Sequence, residues 1–113
     1  MTVVTLTRKD NGKAVVAHTG DDLVIRLNEN PTTGFVWAVD KGNDDVLPLV
    51  KSDYVLEGSA PGASVKIGGG GQRAFTLKAQ QTGSAALRLK LWRKWEGDSS
   101  IAERFAVTVR VKD

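Results

Sequence analysis

Asn30-Pro31-Thr32-Thr33-Gly34-Phe35 interrupts two segments that alternate with period two, residues 23–27 before it and 35–39 after it. Leu23, Ile25 and Leu27 share one face, with Val24 and Arg26 on the other. Beyond the interruption, Phe35, Trp37 and Val39 alternate with Val36 and Ala38. Such alternation is the mark of half-buried strands. Between them, Pro31 fixes its own φ and pushes Asn30 into an extended conformation, while Gly34 permits the positive φ of a returning chain. The reading is strand, stiff projecting turn, strand. Thr32 and Thr33 stand at the tip as short β-branched side chains, and Trp37 is the best candidate for a core aromatic.

The same period runs outward in both directions, and no segment holds a helical stripe for three turns. Toward the N-terminus, residues 3–7 and 13–18 read as strands separated by the turn Asp10-Asn11-Gly12, with a second turn at Gly20-Asp21-Asp22. Residues 41–45 are polar and turn-rich. Residues 46–56 contain Pro48 and read as an edge strand around 51–56. A long irregular stretch, 58–71, ends in Gly68-Gly69-Gly70-Gly71. Phe75, Leu77 and Ala79 mark the next strand. After the turn Gln81-Thr82-Gly83, the residues Ala85, Leu87, Leu89 and Leu91 point inward, with Arg88, Lys90 and Trp92 outward. A loop over 93–102 leads to the final strand with Phe105, Val107, Val109 and Val111. Seven or eight short strands at these spacings predict an all-β, immunoglobulin-like antiparallel β-sandwich, one domain over residues 1–113. In that topology the connections at 28–34, 58–72 and 93–103 emerge at one end.

Composition removes several function classes. The 113 residues include no cysteine, hence no disulfide, thiolate metal site or cysteine nucleophile. The one histidine, His18, lies in an alternating segment and reads as a sheet residue, so triad chemistry has little to build on. The acids Asp21, Asp22, Asp44 and Asp45 fall in turns at the opposite end and read as solvated turn residues rather than a paired-carboxylate site. The net charge of +3 is spread over every segment, with acids interleaved, unlike the one-sided basic face of a nucleic-acid binder. No stretch reaches the apolar length of a membrane span. Residues 1–6, followed by Arg8, Lys9 and Asp10, do not read as a signal peptide. The compartment stays open between cytoplasm and, for a chain whose leader was removed, periplasm or exterior. A monomer is expected.

The remaining signals are in the three loops. The glycine run is no phosphate cradle, because Gln72-Arg73-Ala74-Phe75 opens a strand where Lys-Ser/Thr and a helix would be needed. Side-chain-free backbone at 68–71 either links flexibly or lets another protein's main chain approach for strand-like pairing. The third loop holds Trp92, Arg93, Lys94, Trp95, Glu96 and Gly97. Tryptophan and arginine dominate the energetics of protein interfaces. Trp92 has a role covering its sheet; Trp95, beyond the strand end, has none. An alternative is a non-catalytic carbohydrate- or protein-binding module with Trp92 and Trp95 as a platform. Single-stranded nucleic acid fits less well, since the other two loops offer no stacking or phosphate partners.

In order and spacing, these elements resemble the chagasin-type inhibitors of papain-like cysteine peptidases. The resemblance rests on Asn30-Pro31-Thr32-Thr33-Gly34-Phe35 with Trp37 two residues on. It continues through Gly68, Gly70 and Gly71, then Arg93, Trp95 and Gly97, and Glu103-Arg104-Phe105 at the last strand. It implies a reversible, non-covalent inhibitor with no catalytic residue, metal or cofactor, whose partner is a papain-like peptidase. Thr32 and Thr33 would sit over the catalytic cysteine, the run 68–71 along one wall, and Arg93 with Trp95 on the other. The family commonly has proline where this chain has Lys94. The loss predicts a looser third loop and a larger ordering cost on binding.

Overall fold

The alternating segments become eight strands among residues 2–56 and 71–113, which this computed structural model describes. They are β1 (Val3–Leu6), β2 (Ala14–His18), β3 (Asp22–Glu29), β4 (Val36–Lys41), β5 (Leu49–Leu56), β6 (Gly71–Lys78), β7 (Gly83–Trp92) and β8 (Glu103–Lys112). Two four-stranded sheets result, ordered β1-β3-β6-β5 and β2-β8-β7-β4. The inward residues of both sheets make one core. Leu23, Ile25 and Leu27 meet Phe75 and Leu77 from the first sheet, against Ala85, Leu87, Leu89, Phe105, Val107 and Val109 from the second. Trp37, 5 % exposed, belongs to this core as expected. Burying a side chain of this class contributes about 1.5–3 kcal/mol, so the two-residue period is what specifies the sandwich.

The sheets are mixed rather than wholly antiparallel. Strand β1 pairs with β3 in parallel, and β2 pairs with β8 in parallel. The sequence reads residues 3–18 as one strand continued past a turn. In the structure, residues 7–13 instead cross from the first sheet to the second. Asn11 Oδ1 accepts the Ala106 N–H, and the Gly12 N–H donates to the Ala106 carbonyl, fixing the crossing on β8. Val39 also departs from the expected core. A register irregularity between Val39 and Lys41 turns the end of β4, and Val39 is exposed.

Register fixes which connections share a pole. Glu29, Gly71 and Leu56 are level across the first sheet, so β3 ends where β6 begins and β5 ends. In the second sheet Val36 is level with Trp92, and Leu91 with Glu103. At the other pole, Asp21 is 6 % exposed rather than a solvated turn residue. Its Oδ2 accepts the His18 N–H at 2.9 Å and its Oδ1 accepts the Thr2 N–H at 3.0 Å. The His18 amide is the main reason its carboxyl lies below the ordinary 3.8; burial opposes the shift and the Thr2 amide adds to it.

A depressed native pKa gives stability that is present above the unfolded value of 3.8 and lost as pH falls through the native one. Asp21→Asn is expected to lower the melting temperature at pH 7 and to flatten its fall below pH 3.8, in thermal melts from pH 2 to 7.

Candidate functional site

The turn at 30–35 is built almost entirely by its own side chains. Asn30 Oδ1 accepts the Thr32 N–H (3.1 Å) and the Thr32 hydroxyl (2.7 Å), an Asx turn. The Asn30 carbonyl accepts the Thr33 hydroxyl at 2.7 Å and its N–H at 3.2 Å. Thr33 Oγ1 in turn accepts the Phe35 N–H at 3.3 Å. Pro31–Thr33 form one turn of 3-10 helix, and Gly34 leaves it at φ +80°. Thr32 and Thr33 are exposed at the crest.

The base of this turn is closed by Glu29, which is 3 % exposed. Its Oε1 accepts the Trp37 N–H at 2.7 Å, tying the end of β3 to the start of β4 across the two sheets. Arg73 Nη2 and Nε donate to Oε2 at 2.8 and 3.2 Å. Trp37 Nε1 donates to the Asn28 carbonyl at 2.9 Å. Neither Glu29 nor Arg73 stands out by motif. Both have inward parity, continuing Leu23, Ile25, Leu27 and Phe75, Leu77 toward the loop end, and an inward acid beside an inward base is the signal that finds them.

The loop after β7 leans on the turn. Arg93 Nε donates to the Thr33 carbonyl at 3.2 Å, and its guanidinium lies 4.4 Å from the Phe35 ring centroid, a cation–π contact. Trp95 lies over Gly34: a Cβ there would be 2.7 Å from the Trp95 Cη2. Even so, Trp95 is 72 % exposed. Lys94 is exposed beside it. The turn and this loop therefore form one ridge, on which Thr32, Thr33 and Trp95 are exposed.

The looseness expected from Lys94 is offset. Ser100 Oγ accepts the Arg93 N–H at 3.0 Å and donates to the Gly97 carbonyl at 2.6 Å, with the Arg93 carbonyl 3.0 Å away. The Ala102 N–H donates to Leu91 O at 2.8 Å and shuts the base of the loop. Lys90 Nζ adds Asp98 at 3.2 Å, Asp40 at 3.3 Å and the Trp92 ring at 3.6 Å. Burial pulls the Lys90 pKa down, but hydrogen bonds to Asp98 and Asp40 outweigh it, and the net shift is upward. Lys90 is thus covered, not a solvated outward residue. Since Asp98 is 79 % exposed, water screens its pair with Lys90, and half-buried Ser100 is the stronger brace. Lys90 covers one face of Trp92, and Trp95 turns the edge of its ring onto Gly34.

Of the glycine run, residues 68–70 lie outside the described residues. Gly71 is buried in β6, where a Cβ would meet the Val55 carbonyl and Tyr54 Oη, so its missing side chain is a packing requirement. Its level with Glu29 roots the middle connection at the same end as the ridge.

Comparison with known proteins gives a consistent answer. The family described as chagasin family peptidase inhibitor I42 matches residues 16–109. Chagasin of Trypanosoma cruzi is 30 % identical over 109 residues, covering 93 % of this chain and 94 % of that protein. Amoebiasin-1 of Entamoeba histolytica is 31 % identical over 94 residues, 81 % of this chain and 84 % of its own. The crystal structure of the cysteine protease inhibitor EhICP2 from Entamoeba histolytica superposes with a TM-score of 0.85 at 23 % identity, covering 99 % of this chain and 97 % of the other.

Three substitutions test the ridge. Gly34→Ala forces a side chain into positive φ and against Trp95, and should cost about 1 kcal/mol in stability while shifting tryptophan fluorescence. Arg93 is already extended (φ −96°, ψ 108°) and residue 94 opens a 3-10 turn, the backbone that proline requires. Lys94→Pro should therefore raise stability by about 0.4–1 kcal/mol in denaturant melts, whereas Ser100→Ala should speed amide exchange across 94–101.

Proposed function

The chain belongs to the chagasin family of peptidase inhibitors, and on that footing we propose how it blocks papain-like cysteine peptidases: by filling the active-site cleft with residues 30–35, 68–71 and 93–97. The block is reversible and non-covalent. A peptidase nucleophile needs a carbonyl held in attack geometry with a clear approach. A closed 3-10 turn occupies that space without offering an extended scissile bond. Thr32 and Thr33 take the centre, over the catalytic cysteine. Arg93, Lys94 and Trp95 grip one wall, and the glycine run follows the other.

One observation supports this reading above the rest. Trp95 is 72 % exposed, yet Arg93 and Gly34 hold the loop that carries it against the threonine turn. A large aromatic kept in solvent on a braced support is the profile of an interface anchor. Affinity then comes from an interface of roughly 1,600 Å², as in other protease–inhibitor pairs. Because the ridge is preformed, little ordering entropy is lost on binding.

Titration of papain or a cathepsin with the purified chain should give stoichiometric, reversible loss of activity. Trp95→Ala should weaken inhibition by about 2 kcal/mol or more, near thirtyfold in Ki. Thr32→Asp, at the exposed crest, should abolish inhibition while lowering the melting temperature only slightly, through loss of the hydroxyl bond to Asn30. Inhibition indifferent to both changes would remove the ridge from the interface.

A further inference from the structure

The parallel pairing of β1 brings a fourth connection toward the loop end. Strand β1 runs the same way as β3, toward Glu29, so residues 7–13 leave it on the upper flank of the sandwich. Arg8 Nε reaches Glu103 Oε1 at 2.7 Å, and Glu103 is level with Leu91 at the top of the second sheet. Beside this crossing lies a cavity of about 300 Å³ lined by Thr7, Arg8, Lys9, Arg26, Asn28 and Gln72. Asn28 and Gln72 face each other across β3 and β6, one step below Glu29 and Gly71, the roots of the threonine and glycine loops. The cavity is therefore a shoulder of the ridge.

Its lining contains three cations, two amides, a hydroxyl and no carboxylate. Glu103 holds Arg8, and Asp10 is turned to the Thr7 N–H and Lys13. Lys9 and Arg26 have no carboxylate partner among the described residues. Several cations elsewhere on this surface are paired, Lys78 with Asp22, Lys51 with Asp53 and Arg104 with Asp40. Lys9 and Arg26, beside an Arg8 that Glu103 already holds, repel one another, and the repulsion is relieved by an anionic partner.

We infer that the shoulder formed by Arg8, Lys9 and Arg26 is an ancillary contact for carboxylates on the rim of the bound peptidase, and that it sets preference for acidic-rimmed targets. The inference rests on the cleft-blocking reading, because only a peptidase seated on the ridge brings its rim beside residues 7–9 and 26. Being exposed, the contact acts on association more than on dissociation: exposed charges steer encounter and are screened beyond a Debye length.

The experiment measures association rates with a papain-like peptidase of acidic cleft rim at about 20 and 300 mM salt. It compares the wild type, the Lys9→Glu/Arg26→Glu variant, and an Arg110→Glu/Lys112→Glu control with the same charge change on exposed positions of β8 far from the ridge. At low salt the shoulder variant should associate about tenfold more slowly than wild type or more, and the control no more than about twofold. At high salt the difference should largely vanish, and melting temperatures should agree throughout. Equal slowing by both variants, or by neither, overturns the inference while leaving cleft blockade intact. So does loss of heparin binding in the shoulder variant with an unchanged association rate, which would reassign the site to a polyanion. A wild type that fails to inhibit even in excess would overturn the cleft-blocking reading itself.

Discussion

The buried pair of Glu29 and Arg73 is the constraint on which the loop end depends. Removing a carboxylate from water is costly, and attraction to one cation often only balances that cost. Here the carboxylate has more than a cation. Oε1 accepts the main-chain N–H of Trp37, Oε2 takes two guanidinium donors, and Tyr54 lies near the guanidinium, 5.6 Å from the ring centroid. Arg73 stays partly in water, its side chain 22 % exposed against 1 % for Glu29, so only one of the two charges is fully desolvated. The arrangement links β3 and β6 of one sheet to β4 of the other at the point where the chain leaves for the threonine turn. An apolar pair of equal volume would fill that space, but it would not accept the Trp37 amide or fix the separation of the turn's two ends.

Much of this was legible in the sequence, because a two-residue period has only two outcomes. Leu23, Ile25, Leu27, Phe75, Leu77, Leu87, Leu89 and Phe105 all lie on the face that parity assigns them. The same parity assigned Glu29 and Arg73 inward, and there hydrophobic expectation hid what the alternation said. Parity failed at Val39, where an irregular register breaks the count, and at Lys90, where the outward face is covered by Asp40, Asp98 and Trp92. The parallel partners of β1 and β2 were illegible for a different reason. Short edge strands carry no mark of direction, and what joins them to one sheet or the other is a long-range hydrogen bond such as Asn11 to Ala106.

For the ridge, the motif residues were legible but their support was not. Arg93 and Trp95 stand out by type. Ser100 does not, being one of two adjacent serines in a polar loop, although its single hydroxyl joins the start, middle and end of that loop. Proline stiffens a loop by narrowing the unfolded ensemble, whereas Ser100 does so by adding bonds to the folded one. The two routes constrain a loop by different physical means. A hydroxyl brace can open and reclose, so a loop held this way keeps access to conformations that proline forbids.

On the cleft-blocking proposal, the same economy bears on why a peptidase would not simply cut the turn. A substrate is read as an extended strand, with open main-chain donors and acceptors for the cleft to pair with. Between Asn30 and Phe35 several of those groups are already engaged. The Thr32 and Thr33 amides go to Asn30, the Phe35 amide goes to Thr33 Oγ1, and the Thr33 carbonyl goes to Arg93 from the neighbouring loop. Extending the turn into a cleavable strand would break these four bonds together and lift Trp95 from Gly34. At about 1 kcal/mol net for each bond, that is several kcal/mol before any gain from the cleft, enough to slow productive binding by two to three orders of magnitude. Under that proposal, resistance to cleavage follows from how the turn is closed, and the closure begins at Glu29.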